Sequence, residues 1–394
     1  MCSQHRFAFW CDPPFYSDNI ARMQNKGFEE LSHGVLPVQE LRHFAAKKWI
    51  VAERPIRPGQ FQPSSIDLRL GAKAYRIRSS FLPQRRKVSQ TLKELKMYEV
   101  DLRDGAILER GNVYLIPLLE RLELPAGVRG RTNPKSSTGR LDIFTRVITD
   151  FSHRFEDIGE GYCGGLYLEV VPRSFTIKVK TGLALNQLRL FRGKAMIDDV
   201  ELAAMHGRKP LMYRDGAKRV KPLISDGLFL SIETHTVRSH KIIGYMAKKN
   251  STVIDMLRTG HYLTHDFWEP IESPRENFLI LEPEEFYIFA SKERVRVPLD
   301  CAAEMVEFDA GSGELRTHYA GFFDSGFGDG AVRGTKAVLE VRPHDVPFRV
   351  EDGQLFFKLR YEKMAALPDM SYGLDIGSNY HNQELKLSKH FKAG

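Results

Sequence analysis

Two blocks of this chain repeat each other in the same order, and such a repeat forces tandem copies of one domain before any other structural choice is made. VYLIPLLERLELP (113–125) lies over FYIFASKERVRVP (286–298) at an offset of 173. Tyr114 falls on Tyr287, Glu120 on Glu293, Arg121 on Arg294 and Pro125 on Pro298. LYLEVVPRSFTIKVKTG (166–182) lies over AVLEVRPHDVPFRVEDG (337–353) at an offset of 171. Here Leu168-Glu169-Val170 falls on Leu339-Glu340-Val341, Pro172 on Pro343, Val179 on Val350 and Gly182 on Gly353. Chance matching of strand patterns reproduces alternation, but not shared Glu, Arg, Pro and Gly positions. Residues 35–205 and 222–394 are therefore read as homologous halves. The polar, basic stretch 206–221 reads as the connection, and 1–34 is an N-terminal extension with no counterpart.

Both blocks alternate with period two, which argues for strands. Leu166, Leu168 and Val170 share one face, and Phe175, Ile177 and Val179 repeat the pattern past Pro172. Helical apolar spacing is confined to 38–50, with a shorter helix expected over 254–260. The 20 prolines and 31 glycines are spread along the chain, as many short strands joined by turns require. The expected architecture is mainly β, two tandem distorted barrels with few short helices. A chain of 394 residues suits two such domains.

No run of 18 apolar residues offers a membrane span, and the N-terminus lacks a signal-peptide pattern. Cys2, Cys11, Cys163 and Cys301 form no CxxC, which suits reduced thiols in a cytoplasmic protein. The net charge of +8 favours an anionic partner. Its dispersal along the chain argues little for nucleic acid.

Four segments carry chemistry. In TNPKSSTGRLDIFTR (132–146), Ser136 and Ser137 sit between Lys135 and Arg140, offering hydroxyls, backbone N–H groups and cations to a phosphate or a base edge. An ordinary exposed polar turn has the same composition. Glu169 shares its strand face with Tyr167 and Val171, and desolvation there raises a carboxyl pKa toward the range of a proton shuttle. The alternative is a strand glutamate paired with a cation on the neighbouring strand. Its copy Glu340 has Val338 and Arg342 on its face, and Arg342 is expected to hold it ionised. The contrast favours Glu169 as the working base. In GSGELRTHYAGFFDSGFG (311–328), Asp324 lies among glycines and aromatics, either binding a sugar hydroxyl or a magnesium-bound water, or serving as a hairpin turn residue. The C-terminal stretch holds Tyr372, Tyr380, Gln383, Lys386 and Lys389 without a core-forming period, and reads as a mobile tail able to close over a nucleotide or as disordered chain. The His-x-Glu and Pro-Cys-x-x-Cys strings of zinc deaminases are missing, as are the P-loop, the strand-GxGxxG-helix unit and the Gly-x-Ser-x-Gly elbow.

FQPSSIDLRLG (61–71), PKSSTGRL (134–141) and LYLEV (166–170) resemble, in order and spacing, the motifs of the dCTP deaminase and dUTPase superfamily. Lys135 stands where that family usually has arginine. SYGLDIGSNYHNQ is similar to the nucleotide-covering tail of dCTP deaminases, with Asn379 where a lysine is usual, and the double length resembles a two-domain bacterial subgroup. The resemblance implies dUTPase-like β-clip barrels and deamination of dCTP to dUTP and ammonia, without zinc and with magnesium accompanying the triphosphate. It implies Glu169 as general base, Ser136 positioning the water and Arg140 stabilising the intermediate. It further implies Asp324 on the deoxyribose, with Tyr372 and Gln383 reaching the nucleotide. Lys135 and Ser137 join the substrate-binding set. Ser312 and Arg316 are their second-half candidates, and Glu340 is the second catalytic carboxylate. Arg316 reaches the arginine position only through a gapped alignment, and Asp150 and Asp157 compete as the first-half equivalent of Asp324. The family's habit implies a homotrimer, a pseudo-hexamer of domains, with dUTP and dTTP as further ligands and neither nucleic acid nor membrane as partner. Two other functions fit the same motifs. One is a dUTP pyrophosphatase or bifunctional enzyme, suggested by AGFFDSGFG (320–328); the other is a catalytically silent nucleotide-binding regulatory module.

Overall fold

The structure is a computed structural model that describes residues 32–214, 218–235, 242–307, 315–316, 321–330, 333–373, 380 and 383–392, without the side chains at 218, 307, 315 and 316. Residues from His33 onward form one compact unit holding both halves.

The amphipathic sequence of 38–50 folds as α1 (Val38–Ala46), burying Val38, Leu41 and Phe44. The helix stops there because Lys48 takes the left-handed region at φ 59° and the chain turns into a strand at Ile50. The first half then carries β1 (Ser65–Arg69), β2 (Tyr114–Glu123), β3 (Val128–Pro134), the single turn α2 (Ser136–Gly139), β4 (Ile143–Thr149), β5 (Cys163–Pro172) and β6 (Ala184–Arg192). After α3 (Asp199–Arg208) the second half carries β7 (Leu228–Ser231), β8 (Tyr287–Val295), β9 (Cys301–Glu307), β10 (Thr335–Pro343) and β11 (Leu355–Lys363).

The duplication holds strand for strand. In one sheet Asp157–Ile158, β3, β6 and β1 are neighbours in that order, matched by Phe322–Phe323, β9, β11 and β7. In the other sheet β4, β5 and β2 are matched by Leu315–Arg316, β10 and β8. The repeated residues perform repeated tasks. Glu120 accepts the backbone N–H of Arg69 at 2.7 Å, and Glu293 accepts that of Ser231 at 2.8 Å. Gly182 and Gly353 make the same turn at φ 85° and 81°, where a side chain is disfavoured. Leu166, Leu168 and Val170 are buried on β5, as are Leu339 and Val341 on β10. Each such side chain contributes about 1.5–3 kcal/mol of burial.

Two expectations change. The stretch 206–221 is more than a connection. It opens inside α3, and Met212–Arg214 pairs with β8 as a strand of the second half, with Lys218–Arg219 paired on its outer side. The helix expected over 254–260 is a strand at Ile254–Asp255, pairing in parallel with Ile177–Lys178 of the first half. The neighbouring strand supplies its hydrogen bonds: Ile254 N donates to Thr176 O at 3.0 Å and Met256 N to Lys178 O at 3.0 Å. A segment this short cannot recover helix nucleation when such an edge is available.

The halves also meet through buried charge. Arg189 is fully buried, donating to Glu362 at 3.0 Å and to the Ala303 carbonyl at 3.1 Å. Arg131 pairs with Glu304 and Glu362 across the same boundary. This network links the two halves, and Arg189 also lies 3.6 Å from Asp324.

Candidate active site at the boundary between the halves

The boundary encloses a cavity of about 360 Å³, a size that accommodates a small ligand. The first half supplies α2 and its flanks. Lys135, in extended conformation, caps the turn, and its carbonyl accepts the Thr138 and Gly139 N–H groups at 2.8 and 3.0 Å. The exposed polar turn that composition alone suggests is instead a buried helical turn, with Ser137, Thr138, Gly139 and Arg140 all buried. Ser136, Ser137 and Arg140 line the cavity, and Lys135 lines it too while donating to Asp67.

The second half supplies β10 and the C-terminal segment. Glu340 and Val338 point from β10 into the same cavity. Gly139 permits the carboxylate to approach, since a Cβ there would stand 2.7 Å from Glu340 Oε2. Burial pushes the Glu340 carboxyl up to about 8; the Arg140 guanidinium opposes the shift and Asp142 adds to it. A carboxyl near neutrality beside a guanidinium and hydroxyls is equipped to take and return a proton while a cation stabilises developing charge.

Arg140 is held from several sides. Its guanidinium lies 3.9 Å over the Tyr380 ring and donates to Lys386 O at 2.8 Å and Gln383 Oε1 at 2.9 Å. Gln383 in turn donates to Lys336 O at 3.0 Å. Asp324 lines the cavity after Phe322–Phe323, buried, accepting from Ser64 Oγ with Arg189 at 3.6 Å. Burial raises its pKa, opposed by Arg189 and Ser64. Tyr372 lines the cavity against Phe327 at 5.4 Å. The C-terminal segment is packed in its described part: Ser388 Oγ donates to Ser137 O at 2.8 Å, and Phe391 joins an aromatic cluster with Tyr262, Phe267 and Trp268.

Glu169 is not in this cavity. It sits directly opposite Arg146 in the pairing of β4 with β5, and Arg146 Nε and Nη2 donate to its Oε1 at 3.0 and 2.5 Å. Arg146 is itself packed 3.6 Å over Phe155 and donates to Ser80. The carboxylate expected to be the free, desolvated base is thus ion-paired across the strand. The expectation for Glu340 is reversed as well, because Arg342 turns away to Asp142 and the Glu284 carbonyl.

Strand register settles the counterparts. Phe323 pairs with Ala303 as Ile158 pairs with Gly130, so Gly159 occupies the position of Asp324. Asp157 instead pairs with Arg131, and Asp150 accepts the Val88 N–H at 2.7 Å. Arg316 pairs with Arg342 as Phe144 pairs with Val171, which sets it at the position of Phe144 rather than that of Arg140. Ser312 and Asn379 lie outside the described residues.

Asp67 and Gln187 also line the cavity and were not singled out from sequence, whereas Lys389 was named there as part of the C-terminal stretch. Asp67 stands in the IDLRLG string and is flanked by buried Ile66 and Leu68, which was the available signal. Gln187 lies in a β6 run that reads as core. Among the described residues, no cluster of His, Cys, Asp and Glu could hold a metal ion, and no helix is long and apolar enough to cross a membrane.

The pseudo-repeated β barrels and a carboxyl–arginine–serine cavity between them form a candidate enzyme site lined by two domains of one chain. The model of the 2'-deoxycytidine 5'-triphosphate deaminase N-terminal domain matches residues 32–194, and that of the C-terminal domain matches 198–391. The crystal structure of 2'-deoxycytidine 5'-triphosphate deaminase from Agrobacterium tumefaciens aligns with a TM-score of 0.82 and 44% identity, over 88% of this chain and 99% of that one. "dCTP deaminase, dUMP-forming" from Parafrankia sp. is 32% identical over 44% of this chain and 88% of its own length. The Pseudarthrobacter chlorophenolicus protein of the same name is 31% identical over 35% of this chain and 70% of its own length. This chain belongs to the dCTP deaminase family.

Proposed function

We propose that the chain deaminates dCTP to dUTP and ammonia, with Glu340 of the second half acting as general base on water beside Ser136 and Arg140 of the first. The observation that carries this reading is the meeting of Glu340 and Arg140 in one cavity, where burial raises the carboxyl to about 8. Glu340 takes a proton as water adds to C4 of cytosine. The same carboxyl then delivers that proton to the departing amine, which leaves as ammonia. Arg140 and the Ser136 hydroxyl stabilise the charge of the tetrahedral species. Asp324 and Tyr372 hold the sugar, while Lys135, Ser137 and Gln383 hold the rest of the nucleotide. Magnesium arrives with the triphosphate as part of the substrate. The reading uses no zinc, and among the described residues neither His nor Cys lines the cavity.

Incubation with dCTP tests it: ammonia and dUTP are expected, and no ammonia from a folded chain that binds dCTP refutes it. The dUMP-forming relatives supply a second course, in which the α-phosphorus is also hydrolysed and pyrophosphate is released. The buried Oδ1 of Asp67, which has no hydrogen-bond partner among the described residues, suits that course as an acceptor for a water. Pyrophosphate in the same assay separates the two. A homotrimer acting in the cytoplasm completes the proposal, and a monomer by mass measurement would overturn the assembly.

A further inference from the structure

Arg140 and Glu340 reach the cavity from different halves, so their separation depends on what joins the two elements that carry them. A second buried contact joins them. Asp142 stands two residues after Arg140, and Arg342 stands two residues after Glu340. Arg342 Nη2 donates to Asp142 Oδ2, and both side chains are buried. Ser174 Oγ completes the contact, donating to Asp142 Oδ2 at 2.6 Å and accepting from Arg342 Nη2 at 3.1 Å. The guanidinium also donates through Nη1 to the Glu284 carbonyl, just before β8.

Each partner is fixed to its neighbour in the cavity. Asp142 takes the left-handed region at φ 54°, and its N–H closes the α2 turn on the Gly139 carbonyl at 2.8 Å. Its own carbonyl accepts from Arg173 N at 2.9 Å. Glu340 and Arg342 share one face of β10, as strand alternation requires. The spacers Leu141 and Val341 are fully buried. Chain and ion pair together therefore connect Arg140 to Glu340 across the boundary through a short, packed path. Among the described residues neither Asp142 nor Arg342 lines the cavity, so the pair acts through the residues beside it. The first copy has no such arginine. Val171 stands at the position of Arg342, and Glu169 is bound to Arg146 instead.

We propose that Asp142 and Arg342 are positioning residues whose ion pair sets Arg140 against Glu340 across the boundary. This assignment rests on the reading of Arg140 and Glu340 as the reacting pair. Asp142 acts by charge as well as by position. It raises the Glu340 pKa while Arg140 lowers it, and among the described residues these are the two charged groups acting on that carboxyl.

The test measures ammonia release from dCTP, per folded molecule and across pH, with dCTP binding followed by calorimetry. Asp142→Gly keeps the left-handed turn, because glycine adopts it without cost. It is expected to lower kcat by about 10–100-fold with KM within about threefold, and Arg342→Gln to do the same. The double variant Asp142→Gly/Arg342→Gln leaves no buried charge without its partner, which protects the fold. It should lose no more than the larger single loss, because both changes remove one contact. Asp142→Asn keeps an oxygen for Arg342 and should retain most of the plateau rate. Its rising limb should move to lower pH, since one negative charge near Glu340 is gone; a merely structural residue would not move it. Arg131→Gln, at the other charged contact between the halves, should lower the melting temperature and keep kcat within about threefold. Unchanged kcat in Asp142→Gly and Arg342→Gln, with Glu340→Gln inactive, overturns this assignment alone. Additive losses in the double variant, or an equal kcat loss in Arg131→Gln, also overturn it. A fully active Glu340→Gln chain sinks the reading of the reacting pair and this assignment with it.

Discussion

Glu169 and Glu340 occupy the same position in the two halves, and their surroundings have made them different groups. Glu169 on β5 faces Arg146 on β4 and spends its charge on a cross-strand ion pair. Glu340 on β10 has Ile288 opposite it on β8 and the guanidinium of Arg140 across the cavity, and it carries a raised pKa. The same backbone and the same residue thus give a structural carboxylate in one copy and a proton-transfer candidate in the other. The rest of the site divides in the same way. Arg140 and its serines belong to the first half, Asp324 and the C-terminal segment to the second, and the first half has Gly159 where Asp324 would be. Among the described residues, the cavity at the boundary draws its polar lining from both halves.

The comparison breaks most sharply by exchanging each glutamate for its amide. Glu340→Gln is expected to lower deamination by about 10²–10⁴-fold while dCTP binding by calorimetry persists. Glu169→Gln should leave kcat within about threefold per folded molecule. The opposite ranking would return the chemistry to the first half.

A smaller effect is expected at Gly139. Its Ala variant sets a methyl 2.7 Å from Glu340 Oε2, so the carboxylate must shift. A loss of about 10–100-fold in kcat/KM should follow with the fold intact by circular dichroism. A fully active Gly139→Ala chain would mean that the close approach of Glu340 to α2 is immaterial.

The pH profile sharpens the contrast further. A base with its pKa near 8 must be ionised to act, so kcat/KM should rise about tenfold per pH unit below 8 and level above it. Because Arg140 holds that pKa down, the residual activity of Arg140→Gln should shift to higher pH. A profile flat from pH 6 to 9 would exclude Glu340 as the titrating base.

Stability gives the smallest difference, with opposite signs at the two sites. Glu340 has a folded pKa above its unfolded value. Its contribution is full below about pH 4.5 and is lost as pH rises through about 8. Glu340→Gln should therefore raise the melting temperature by a few degrees at pH 8.5 and leave it unchanged at pH 4.5. Glu169→Gln removes one partner of a pair whose arginine is part-exposed, and should cost roughly 1–3 kcal/mol at neutral pH. Thermal melts at both pH values check the signs.

The difference between the expected and the observed surroundings of Glu169 has a definite cause. Along one strand, Glu169 has apolar neighbours two residues away and Glu340 has Arg342. Spacing along a strand says which face a side chain shares and nothing about the next strand. Arg146 lies 23 residues from Glu169 in sequence, and Asp142, which captures Arg342, lies 200 residues from it. Arg316 was similarly misassigned. Its type matched Arg140, but its pairing with Arg342 sets it in the strand beyond the loop.

The sequence by itself determined the duplication, the β character of both halves and the family, because these reside in periodicity and in ordered short motifs that survive without knowledge of contacts. It also contained every residue type of the site. Only the tertiary structure decided which copies meet. Whether a carboxylate is a base or half of an ion pair depends on desolvation and on charges brought together from distant parts of the chain, and neither is a property of neighbours in sequence.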